Sequence, residues 1–87
     1  MPKLREIALV WRTLLSLLPM EAVEHGWRES QKGVINYRIQ AFTNGRQWAV
    51  DIYAGSFFYV EIQGLFGETF RGVPSLILFI KRVLQSC

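Results

Sequence analysis

The sequence predicts a single two-layer α+β domain over residues 1–87. It has an N-terminal helix, an antiparallel meander of three to four strands and a C-terminal helix, with both helices on one sheet face. Three observations predict it: an apolar stripe at helical spacing near the start, two turn signals that divide the middle into strands with matching faces, and a second apolar helical pattern after Pro74. A chain of 87 residues that is 51% apolar, 14% aromatic and 20% charged suits one modest core and not a disordered segment.

The first helix is expected over residues 2 to 18. Leu4, Ala8, Trp11, Leu15 and Leu18 recur at 4-3-4-3 spacing, and Ile7 and Leu14 widen that stripe. Lys3, Glu6, Arg12, Thr13 and Ser16 make up much of the opposite side; Pro2 suits the start and Pro19 stops the pattern. Residues 20 to 33 are less legible. "MEAVEHG" reads as a short helical turn, "GWRES" as a short strand and "SQKG" as a turn after it.

Asn44-Gly45 is the strongest hairpin signal in the chain, because both central positions of a type I′ turn need positive φ. A two-residue loop sets Thr43 against Arg46. Ala41–Trp48, Ile39–Val50 and Tyr37–Ile52 then pair on one face, while Phe42–Gln47, Gln40–Ala49, Arg38–Asp51 and Asn36–Tyr53 pair on the other. The apolar alternation and the turn agree on this register. A three-residue loop, Tyr53-Ala54-Gly55, places Phe58, Val60 and Ile62 on the core face and Phe57, Tyr59, Glu61 and Gln63 on the outer one. "GLFGETFRG" turns again, with a short edge strand expected around Glu68 to Phe70. From Pro74 the chain reads as a helix that buries Val73, Leu76, Ile77, Ile80, Val83 and Leu84. Leu78 and Phe79 make it apolar almost all round.

Several chemistries have no residues to carry them. The single histidine, His25, and the single cysteine, Cys87, give no metal-ligand spacing and no internal disulfide. Cys87 reads as a tail thiol, with oxidative dimerisation as its alternative. No glycine-rich phosphate loop, serine elbow or triad is visible. No apolar run reaches the ~20 residues of a membrane span. The expectation is a non-enzymatic cytoplasmic domain without cofactor or metal. The net charge of +3 comes from ten basic residues, spread along the chain, against seven acidic ones, which fits either an acidic partner or ordinary solubility.

The outer sheet face therefore carries the functional expectation. Phe42, Tyr53, Phe57 and Tyr59 lie on it with Arg38, Gln40, Gln47 and Gln63, and Val34 and Asn36 sit at its margin. Water-facing sheet surface needs fewer aromatics than this, and interfaces favour Tyr, Phe and Arg. A protein-interaction module is expected, binding another protein or itself, with the outer face or the apolar last helix as contact. The alternative is single-stranded nucleic-acid binding, in which the aromatics stack bases and Arg38 and Arg46 supply positive charge.

Two family resemblances bear on this choice. The order of helix, three strands and helix is similar to the double-stranded RNA-binding domain, although "VPSLILF" stands where that family has a lysine-rich helix start. "GWRESQKG" is similar to the phosphate-binding strand of SH2 domains, and "TFRGVPSLILFIKRVL" to their closing strand and helix. The second resemblance implies phosphopeptide binding, with Arg28 as a bidentate phosphate donor and candidate anion site. The chain departs from that family in lacking its opening tryptophan region and its middle-strand histidine, and in its longer first helix.

Overall fold

The computed structural model describes residues 1–85. In chain order the elements are α1 (Leu4–Leu17), β1 (Glu21–Glu29), β2 (Ile35–Thr43), β3 (Arg46–Tyr53), β4 (Phe57–Ile62), β5 (Glu68–Arg71) and α2 (Val73–Leu84). The strands form one antiparallel meander in the order β1-β2-β3-β4-β5. The sheet thus has five strands and not three to four. Cys87, expected as a tail thiol, lies outside the described residues.

The additional strand is β1, which takes in the short strand expected at "GWRES" and extends it back through the helical turn expected at "MEAVEHG". Pro19 ends α1, and the residues beyond it alternate: Val23, His25 and Trp27 share the face of Tyr37 and Ile39, while Glu24, Gly26 and Arg28 lie on the other. A register shift between Glu21 and Glu24, with Ala22 at φ 51°, marks a bulge at the start of the strand. The turn into β2 is held by Ser30, whose Oγ accepts from the backbone N–H groups of Lys32 and Val34.

The β2–β3 register is the one the turn signal predicts, with Thr43 opposite Arg46 and Tyr37 opposite Ile52. Asn44 and Gly45 have φ of 53° and 78°, as a type I′ turn requires. The next loop is Ala54-Gly55-Ser56, one residue later than expected, so Tyr53 pairs with Phe57 and Val50 with Val60. That displacement shifts the register by two residues, and every side chain keeps its expected face.

Ile39, Ala41, Trp48, Val50, Ile52, Phe58, Val60 and Ile62 of the sheet form one buried cluster with Ile7, Val10, Leu14 and Leu18 of the first helical segment and Leu76, Phe79, Ile80 and Leu84 of α2. Trp48 lies inside it, and its indole N–H donates to Thr43 Oγ1, which donates in turn to the Pro19 carbonyl. Ser56 bonds to Glu6 and the Gln85 amide donates to the Leu17 carbonyl, which ties the β3–β4 loop and the end of α2 to α1.

The helices rotate away from two expectations. In α1 the buried side is Ile7, Val10 and Leu14; Leu4 and Ala8 are exposed, Leu15 is 60% exposed and Trp11 is half-buried. In α2, Phe79 is buried against Phe70 with ring centroids 4.8 Å apart. Leu78 is left as that helix's one exposed large apolar side chain, so the helix is not apolar all round.

Candidate functional site

Strand register sorts the outer face into four rows. The first, nearest the Asn44-Gly45 turn, is Glu21, Phe42 and Gln47; the second is Glu24, Gln40, Ala49 and Glu61. The third is Gly26, Arg38, Asp51, Tyr59 and Thr69, and the fourth is Arg28, Asn36, Tyr53, Phe57 and Arg71. Successive rows lie about 7 Å apart along the strands.

The middle rows hold a polar network. Asp51 is buried and accepts from Asn36 Nδ2 at 2.8 Å and from Arg38 Nη1 at 2.9 Å. Arg38 Nε donates to Gln40 Oε1 at 3.2 Å, and Gln40 Nε2 donates to Glu24 at 3.0 Å. Glu61 lies 3.7 Å from Arg38 Nη1. Burial raises the Asp51 carboxyl above its ordinary pKa, and Arg38 and the Asn36 hydrogen bond pull the other way. Arg38 and Gln40 are thus placed on the outer face as expected and are occupied by each other and by carboxylates.

The four aromatics divide between the ends of this network. Tyr53 and Phe57 meet edge to face at 6.2 Å, and the Arg71 guanidinium lies 5.4 Å from the Phe57 ring centre. Tyr59 is one row away. Phe42 is at the opposite end, separated from them by the Gln40 and Arg38 rows. Arg28 is exposed in the same row as Tyr53 and Phe57 and makes no ion pair among the described residues.

The loop after β4 closes over part of this face. Gly67 packs so tightly on Tyr59 that a Cβ there would overlap the phenol ring. Arg38, Gln47, Tyr59, Glu61 and Gln63 line a groove of about 460 Å³ beside it, with Leu65 and Phe66 on the loop side. Phe66 is 96% exposed.

A second surface is one that sequence reasoning passed over. On the inner side of β1, His25 stacks edge to face on Trp11 at 4.9 Å and hydrogen-bonds the Tyr37 hydroxyl. Trp27 stands edge to face on Tyr37 at 5.1 Å and is still 44% exposed. Val23 is exposed on the same side of the strand, and the exposed Leu15 lies one helical turn beyond Trp11. The aromatic contacts continue from sheet to helix, yet the buried core cluster contains no residue of β1. The available sequence signal was the alternation of Val23, His25 and Trp27.

Among the described residues no three His, Cys, Asp or Glu side chains gather to hold a metal ion. No helix there is long and apolar enough to cross a membrane. No protein-family model, curated protein or solved structure matches the chain.

Proposed function

We propose that this is a small non-enzymatic interaction domain, two layers deep, that binds another protein chain through the β1 edge and the aromatic surface beside it. The observation that carries this reading is the state of β1. It is a nine-residue edge strand, every residue of which is exposed except half-buried Gly26, and it presents Trp27 and Val23 to solvent. Edge strands offer unpaired N–H and C=O groups to a further strand, and proteins blunt them with proline, charged side chains, bulges, short length or cover. β1 has no proline, no lysine and no element over it comparable to the helices over the core strands; its bulge is confined to Glu21–Glu24, and its charges, Glu21, Glu24, Arg28 and Glu29, are of both signs and so select what can pair with it. The opposite edge strand, β5, has four residues.

A peptide with the sequence of residues 21–29, titrated onto isotope-labelled protein, tests the reading. Amide shifts are expected in β1 and around Trp11. The absence of shifts there at millimolar peptide overturns it. One observation favours the outer face as a second surface: Phe66 stands almost fully exposed at the rim of the groove that Arg38 and Tyr59 line. On that reading the peptide's shifts fall in residues 59–67 instead.

A further inference from the structure

We propose that the partner of this edge is a second copy of the chain: two β1 strands pair antiparallel, centred on Gly26, and join two five-stranded sheets into one of ten strands. The inference rests on the proposed role of the β1 edge and adds the identity and register of its occupant. Charge complementarity selects both. In an antiparallel pair centred on Gly26, Glu24 of each copy faces Arg28 of the other on the outer side, and His25 faces Trp27 on the inner side. Two opposite-charge pairs form from one sequence read against itself, and opposite charges stabilise directly opposed positions.

Neighbouring registers lose this match. Centring on Glu24 or on Arg28 sets like charges against themselves. Centring on His25 leaves Glu24 opposite Gly26 and brings only Glu21, beyond the bulge, level with Arg28, and centring on Trp27 leaves Glu24 opposite Ser30 and Arg28 opposite Gly26. Centring between two residues would put the helices of the two copies on opposite sides of the joint sheet.

Gly26 supports the same axis. Glycine inside a strand weakens it and often marks close approach of another backbone. Here a Cβ would meet nothing within 4 Å in the single chain, so neither local packing nor a left-handed φ requires glycine. At the centre of the proposed pair it would face its own copy. The exposed Arg28 would gain a carboxylate, and the Trp11–His25–Tyr37–Trp27 cluster would continue into its symmetry mate.

The test is a disulfide at the axis. In a Cys87→Ser background, Gly26→Cys is expected to form a covalent dimer under mild oxidation, because directly opposed Cα atoms in antiparallel strands lie about 4.5–5.5 Å apart, within disulfide range. Trp27→Cys and Glu24→Cys are expected not to. Charge exchange is the second readout. Glu24→Arg alone is expected to weaken the dimer roughly 10- to 100-fold by turning two attractive pairs repulsive. Glu24→Arg with Arg28→Glu is expected to restore it. A disulfide at Trp27→Cys in place of Gly26→Cys, or failure of the double exchange to restore association, overturns the register. If the peptide of residues 21–29 binds β1 while Gly26→Cys protein stays monomeric, the second-copy inference falls and the edge reading stands. If neither occurs, both fall.

Discussion

Replacing Asp51 with alanine removes the acceptor at the centre of the outer face and leaves its donors without it. Asn36 is 6% exposed, and Nδ2 has Asp51 as its acceptor at 2.8 Å. A buried donor left unsatisfied costs about 1–3 kcal/mol. Arg38 adds less, because it is partly exposed and retains Gln40 at 3.2 Å and Glu61 at 3.7 Å. Relief of the carboxylate's own desolvation offsets part of the loss. The expected destabilisation is about 1–3 kcal/mol by urea unfolding, with the denaturant slope unchanged. Asp51→Asn keeps an oxygen acceptor and is expected to cost less. The pH dependence has a definite sign. Burial raises the folded carboxyl pKa above its unfolded value, so the folded chain holds the proton more tightly. The Asp51 contribution is therefore greatest below the ordinary carboxylate range and falls as pH rises through the raised value. Across that window the stability difference between the parent protein and Asp51→Asn is expected to move in favour of the variant. A cost for Asp51→Ala below about 0.5 kcal/mol, the level of an uninvolved surface site, would refute the reasoning.

Leu14→Ala is expected to cost about 2–5 kcal/mol and Leu15→Ala less than about 0.5 kcal/mol by the same assay, since only Leu14 is buried. Trp48→Phe is expected to lose about 2–3 kcal/mol, through the hydrogen bond to Thr43 and the space left by the smaller ring. Gly67→Ala is expected to push the loop off Tyr59, cost about 1–3 kcal/mol and move the Tyr59 ring resonances, with Tyr59→Phe giving partial relief.

The β2–β3 hairpin was legible because two independent signals, the Asn44-Gly45 turn and the alternation of Tyr37, Ile39 and Ala41, demand one register. The outer-face positions of Phe42 and Tyr53 followed from it; those of Phe57 and Tyr59 came from the three-residue loop, which lies one residue later than expected but keeps the faces. Their division into two groups followed from neither, because alternation assigns a face and only the register of all the strands assigns a row. The Arg38–Asp51 pair was legible as opposed charges, whereas the Asn36 hydrogen bond crosses rows and depends on three-dimensional geometry. The first helix misled because α1 has more than one apolar stripe. Leu4, Ala8, Trp11 and Leu15 have good spacing, and so do Ile7, Val10 and Leu14; the sheet decides which is buried. The second half of β1 was legible as the strand at "GWRES"; its first half was hidden by its charges and its bulge. An edge strand makes few core contacts and so carries a weak apolar pattern, and the surface it builds with Trp11 and Tyr37 joins residues distant in sequence.

The central claim is that the β1 edge joins two copies of this chain. Molar mass by light scattering over a concentration range, with reductant present to exclude a Cys87 disulfide, tests it most directly. The prediction is a reversible rise from 10.1 kDa toward twice that value, abolished by Trp27→Lys. A mass fixed at the monomer value, or a dimer indifferent to Trp27→Lys, would contradict it.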